Sequence, residues 1–168
     1  SILEVGCNTG YFGEALVQAG YEVTGVEISE SAGLEARKRL PEVFIGGVES
    51  FLASPEFLGK RFDCITFGDV LEHLQDPTAV LQAVVGRLKP GGIVVVSVPN
   101  VTHIAIRAML CGGRWIYSDR GIMDRTHMRF FDKIGTIELL EDAGLSVQAV
   151  SSVRVPASDT GVAFPQAL

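Results

Sequence analysis

Three sets of residues have types and spacing that could do chemistry. The first is the turn Glu4-Val5-Gly6-Cys7-Asn8-Thr9-Gly10, followed 17 residues after Gly10 by Glu27. Glycines let a backbone approach a ligand closely and take positive φ, and amides at a helix start can face that ligand. A carboxylate about 20 residues further on accepts hydrogen bonds from the two hydroxyls of a ribose. Together they mark a nucleoside site. The second set is the histidines, which titrate near neutrality and can take a proton from an acceptor. His73 stands in Leu71-Glu72-His73 and His127 in Asp124-Arg125-Thr126-His127, whereas His103, after Pro99-Asn100, reads as a packing or capping residue. The third set is Gly112–Phe130, which mixes Arg114, Arg120, Arg125 and Arg129 with Trp115, Tyr117 and Phe130. Guanidinium forks suit carboxylate or phosphate, so the segment reads as a lid that recognises an acceptor through Arg114, Trp115, Tyr117 and Arg125. Each set also has a purely structural reading: a tight turn, a histidine tied to backbone, and a solvated loop whose arginines pair with Asp119 and Asp124.

These residues must be positioned by a repeating unit of apolar strand, turn and amphipathic helix. Ile2–Val5 reads as a first strand, followed by a helix with Phe12, Ala15, Leu16 and Ala19 on one face and Gly20 as its end. Glu22–Ile28 is the second strand. Ser29 caps a helix bearing Ala32, Ala36 and Leu40, with Arg37, Lys38 and Arg39 expected in its last turn. Strands follow at Val43–Ile45 and Phe62–Phe67. Asp76-Pro77 starts a helix with Leu81, Val84, Val85 and Leu88 on its apolar face. Pro90-Gly91-Gly92 turns into a strand at Ile93–Val98, whose run Ile93–Val96 reads as buried. Val101–Leu110 reads as helical, Asp132 as the cap of a helix with Ile134, Ile137 and Leu140, and Leu145–Val150 as a last strand. Strands alternating with helices predict an α/β fold, a doubly wound, mostly parallel sheet covered by helices on both faces in a single domain. The core is expected at residues 1–150, with 112–130 as the lid and 151–168 as a tail or remaining edge strand.

Composition narrows the function. The chain is 47% hydrophobic and carries a net charge of −6, which disfavours disorder and nucleic-acid binding through many phosphate contacts. No apolar run reaches the ~20 residues of a membrane span, and Ser1–Val5 reads as a strand, not as a signal peptide. Cys7, Cys64 and Cys111 form no CxxC pair, so neither a disulfide framework nor a metal site is expected, and the setting is read as cytoplasmic. GxGxxG would need glycine at Asn8, and no Tyr-x3-Lys pair exists, since Ala15, Gly25 and Gly121 follow Tyr11, Tyr21 and Tyr117 by four. Gly59-Lys60 is followed by Arg61, which excludes a P-loop.

LEVGCNTGYFGEAL, GYEVTGVEIS, FDCITFGDVLEHLQDP and LKPGGIVVVSVPN, in this order, resemble the class I S-adenosylmethionine-dependent methyltransferases, a Rossmann-like group. With DRTHMRFF they resemble its ubiquinone-biosynthesis-like and glycan-associated branch over about residues 1–150. The resemblance implies that Glu4, Gly6, Cys7 and Gly10 surround the methionine part of S-adenosylmethionine. It puts Glu27 on the ribose, Ile28 against the adenine, Val48 and Glu49 beside that ring, and Phe67, Gly68, Asp69 and Val70 near the sulfonium. The product would be S-adenosylhomocysteine. Asn8 departs from the usual middle glycine, and Gly47 stands where an aspartate often contacts the adenine amine; binding is expected to survive both. The (D/N/S)PPY motif of base amino-methyltransferases is replaced by Gly68-Asp69-Val70-Leu71, and no cysteine follows a proline as in cytosine C5 enzymes. The expected reaction is methylation of a hydroxyl on a small-molecule or glycan acceptor, with His73 or His127 as base and nucleic acid set aside. The other readings are a degenerate domain that binds cofactor or partner without catalysis, and a nucleotide-dependent oxidoreductase.

Overall fold

The computed structural model describes residues 1–154, 156 and 160. Two compact units divide them: residues 1–70 with 78–97, and residues 71–77 with the chain from 98 onward.

The first unit is a parallel sheet of five strands: β1 (Ile2–Val5), β2 (Val23–Glu27), β3 (Glu42–Ile45), β4 (Phe62–Gly68) and β5 (Leu88–Ser97), in the order β3-β2-β1-β4-β5. Its helices are α1 (Tyr11–Gln18), α2 (Glu30–Ala36), α3 (Val48–Ala53) and α4 (Pro77–Val85, all but its first residue). Because strand side chains alternate, each strand feeds two cores. Ile2, Val23 and Val43 pack with Ala36 of α2, Leu40, and Leu16 and Val17 of α1. From the opposite face of β3, Phe44 meets Phe51 of α3 and Phe57, each with ring centroids 5.7 Å away. Gly20, at φ +90°, closes α1 with its amide on Val17, and the Tyr21 amide reaches Leu16. Ser29 Oγ accepts from the Ala32 amide and caps α2.

Several expectations need correction here. α2 stops at Ala36, where the amides of Lys38 and Arg39 switch to carbonyls three residues back, so Arg37–Arg39 lie in tight turns beyond the helix. Arg39 instead donates to the Thr9 carbonyl (3.2 Å) and lies over the Tyr11 ring (4.2 Å). Leu88 belongs to β5, because its partner is Phe62 of β4. Ile93 and Val95 are exposed while Val94 and Val96 are half-buried, so one face of the edge strand β5 is left uncovered by the described residues.

The second unit is built around α5 (Ile104–Cys111) and α6 (Lys133–Asp142). Its small core is Ile106, Met109, Ile122 and Met123, with Val101 and Phe130 against it. α5 starts three residues later than the apolar pattern suggests, because His103 Nδ1 accepts the Ala105 amide and caps it there. α6 begins after Asp132, whose Oδ1 accepts from the Gly135 amide (2.7 Å). Leu145–Val150 is not a strand; its residues are mostly exposed and pair with no other strand among the described residues. Residues 151–154 likewise form no strand, and most of the expected tail lies outside the described residues.

Candidate functional site

In the first unit the strand order reverses beside β1, which has β2 on one side and β4 on the other. Such a switch point opens a crevice beyond the carboxyl ends of the strands. The loop leaving β1 takes positive φ at Gly6 (+74°), Asn8 (+49°) and Gly10 (+84°). Amides of Gly6 and Cys7 donate to the Val26 carbonyl, and that of Gly10 to the Cys7 carbonyl. Gly6 has no room for a side chain, since a Cβ there would lie 2.4 Å from Val70 Cγ2. Asn8 is not an anomaly: asparagine is among the few residues that tolerate the left-handed region. Among the described residues the other non-glycine residue with positive φ is Asp69 (+52°), just after β4, where the Ser97 hydroxyl donates to Asp69 Oδ1 (2.9 Å) and the Asp69 amide donates to the Ser97 carbonyl (3.0 Å). The two non-glycine positive φ values among the described residues thus lie just beyond the ends of the neighbouring strands β1 and β4.

Glu27 ends β2 with Oε2 on the Asn8 amide and Oε1 on the Ser29 amide, both 2.8 Å. Each oxygen keeps a lone pair for a further donor. Glu4 is buried beneath α1, where a Cβ on Gly13 would come within 2.3 Å of its Oε2. Burial pushes this carboxyl up to about 7, against the lowering pull of the Gly13 amide, and Oε2 has no hydrogen-bond partner among the described residues. Cys7 is buried in the core of the α1–α2 face; burial, and then the charges of Glu4 and Glu27, push its thiol up to about 12. The remaining positions differ in what they can offer. Ile28, Glu49, Gly68 and Asp69 are exposed and Val70 is half-buried, while Val48 and Phe67 are core side chains. Gly47 caps α3 without any side chain.

The second unit brings His73 and His127 together, with ring centroids 4.8 Å apart at 77°. His73 Nδ1 lies 3.3 Å from the Thr126 carbonyl, and His127 Nδ1 lies 3.2 Å from the Ile122 carbonyl. Glu72 is only 1% exposed, and its carbonyl accepts from the amides of Met128 and Arg129. One ligand atom from each of Glu72, His73 and His127 falls within a common 4.8 Å. The carboxyl of Asp124 is held low by the amide and hydroxyl of Thr126, and then by the two histidines. Trp115, Tyr117 and Phe130 form a half-exposed aromatic cluster, Trp115 to Phe130 being 5.2 Å and Trp115 to Tyr117 6.2 Å. Arg125 pairs with Asp119 at 2.7 Å and Arg114 is exposed. Glu72 and Thr126 were not singled out by sequence, although Glu72 adjoins His73 in Leu71-Glu72-His73, and Asp124, read there only as an arginine partner, accepts from Thr126 instead.

A doubly wound sheet with a glycine-bearing loop at its switch point and a carboxylate at the end of the next strand is the arrangement in which α/β domains hold nucleosides. A methyltransferase-domain family model matches residues 1–150, and the chain belongs to that family. It is 32% identical over 159 residues to a ubiquinone biosynthesis O-methyltransferase of Xanthomonas axonopodis pv. citri, covering 90% of this chain and 65% of that protein. The Xylella fastidiosa (strain 9a5c) enzyme of the same name is 32% identical over 163 residues, covering 91% and 63%. The chain therefore spans just under two thirds of the length of these relatives. Among solved structures, the fold is shared with a magnesium protoporphyrin IX methyltransferase of Synechocystis, at 18% identity and a TM-score of 0.69 over 92% of this chain and 68% of that one. It is shared as well with a methyltransferase of Archaeoglobus fulgidus, at 21% identity and 0.67 over 85% and 59%.

Proposed function

We propose that this domain transfers the methyl group of S-adenosylmethionine to a hydroxyl oxygen of a small-molecule or glycan acceptor. The observation that carries this reading is the loop from Gly6 to Gly10, with positive φ at Gly6, Asn8 and Gly10, joined at the sheet's switch point to Glu27, whose two carboxylate oxygens end β2 on the Asn8 and Ser29 amides. The buried Oε2 of Glu4, without a hydrogen-bond partner among the described residues, adds a place for a donor. When bound, S-adenosylmethionine supplies an electrophilic methyl group on a positively charged sulfur. Glu27 would hold the ribose, the loop backbone would hold the amino-acid part, and Ile28, Val48 and Glu49 would border the adenine. Transfer is an in-line displacement, so the chain's main work is positioning. His73 and His127 are the groups to take the acceptor's proton, with Trp115, Tyr117, Arg114 and Arg125 recognising the acceptor. The relatives' named reaction on oxygen favours a hydroxyl acceptor. Three free cysteines without a CxxC pair favour a reducing, cytoplasmic setting, and the acidic balance disfavours nucleic acid. No helix among the described residues is long and apolar enough to cross a membrane.

Calorimetry with S-adenosylhomocysteine tests the cofactor half. Glu27→Gln should weaken binding about tenfold or more, while His73→Ala and His127→Ala stay within about twofold of the parent. In a methylation assay over phenolic and sugar-nucleotide acceptors, loss of the base should lower turnover by about 10²–10⁴. Absence of binding at millimolar ligand would defeat the cofactor reading; unchanged turnover would remove that histidine as base.

A further inference from the structure

We infer that Glu72, His73 and His127 form a site for a divalent first-row transition cation. The three side chains come from segments 54 residues apart, yet a ligand atom of each lies within 4.8 Å of the others. A tetrahedral site with bonds of about 2.0–2.1 Å brings neighbouring ligand atoms to roughly 3.4 Å. Closing the set therefore needs about an ångström of side-chain rotation, and exposed His73 has room for it.

The surroundings are those of ligating histidines. Both imidazoles place Nδ1 against a backbone carbonyl, Thr126 for His73 and Ile122 for His127. A neutral ring that donates from Nδ1 carries its lone pair on Nε2, and this second contact fixes tautomer and orientation. The Met128 and Arg129 amides on the Glu72 carbonyl pin the segment bearing His127 to the residue that would supply the carboxylate. The carboxylate of Asp124 interacts electrostatically with both histidines, adding negative charge where a cation would sit.

The donor set selects the ion. Two imidazoles and one carboxylate suit zinc, manganese, iron, cobalt or nickel, whereas magnesium and calcium prefer oxygen alone. Three protein ligands also leave at least one position open. That this position takes the acceptor's oxygen rests on the methyl-transfer reading; the cation site itself rests on the geometry of the second unit. With a cation bound, His73 and His127 would be its ligands and could not also take the acceptor's proton; a coordinated hydroxyl, made more acidic by the cation, would release its proton to solvent water.

The test uses the full chain without a polyhistidine tag, stripped with chelator and titrated with Zn²⁺, Co²⁺ or Mg²⁺ alone, with neither cofactor nor acceptor present. Failure here is thus separate from failure of methyl transfer. One equivalent of Zn²⁺ or Co²⁺ should bind saturably, with visible absorption from the Co²⁺ form, and millimolar Mg²⁺ should not displace it. His73→Ala and His127→Ala should each weaken binding tenfold or more, with circular dichroism unchanged, and His103→Ala should leave it within twofold. Glu72 is buried, so the two histidine variants carry the test even if Glu72→Gln fails to fold. No saturable equivalent, affinity retained in both histidine variants, an equal loss in His103→Ala, or displacement by Mg²⁺ would overturn the site.

Discussion

The two units of this chain hold their chemical groups in different ways. In the sheet unit, the cradle from Gly6 to Gly10 is made of backbone, fixed by amides on Val26 and by strands buried on both faces. In the second unit, the histidine cluster is made of side chains, fixed by single contacts such as Met128 to Glu72 and His73 to Thr126, over a core of four buried residues. A site written in backbone tolerates changes of residue type as long as φ is accessible, which is why Asn8 serves where glycine is usual. A site written in side chains tolerates almost none.

The largest test of this contrast is stability. Phe62 is fully buried in the sheet unit, and Phe62→Ala should cost about 3–5 kcal/mol in urea unfolding. Trp115, half-exposed in the aromatic cluster, should cost about 1 kcal/mol or less on truncation. Equal costs would mean that the second unit has a core of the same kind, and the contrast would fail.

Next comes a pH effect confined to the sheet unit. Burial raises the Glu4 carboxyl from its ordinary 4.5 to about 7, so the folded chain holds that proton more tightly than the unfolded chain. Its contribution is full below about 4.5, declines as pH rises to about 7, and is constant above, a total of roughly 3 kcal/mol. Subtracting the stability curve of Glu4→Gln from that of the parent should leave this decline; a flat difference would show that the carboxyl is not desolvated.

Smaller still is the backbone effect at Asn8. Asn8→Gly should change stability by no more than about 0.5 kcal/mol, and Asn8→Ala should lose about 1 kcal/mol, by thermal unfolding. A large loss in Asn8→Gly would show that the side chain, not the φ angle, matters. Smallest is the exposed Arg125–Asp119 pair, where Arg125→Ala should fall within about 0.5 kcal/mol.

The same contrast explains what could be read from the sequence. β1 has the bounds that its apolar run announces, because a parallel strand buried on both faces leaves a continuous signal. Ser29 and Asp132 cap their helices as expected, since the capping bond spans only three residues. α3 was missed: it has six residues, and its cap, Gly47, carries no side chain. The start of α5 was misplaced because an imidazole, uncommon as a cap, replaces the usual hydroxyl or carboxylate. At Leu145–Val150 the apolar pattern suited a strand, but a strand is defined by a partner, and pattern alone cannot supply one. The turn Gly6–Gly10 with Glu27 was legible because its parts are close in sequence. The meeting of Glu72 and His73 with His127 closes a loop of 54 residues, which no spacing rule records.

The three cysteines form a graded set of reporters. Cys111 is exposed, Cys64 intermediate and Cys7 buried. With its thiol raised to about 12, Cys7 is thiolate in roughly one molecule in 100,000 at pH 7. Alkylation should therefore reach Cys111 first, and Cys7 only when its loop opens. Anything that settles on that loop should slow the last labelling event and leave the first untouched, so the molecule carries a built-in clock for occupancy of its own cradle.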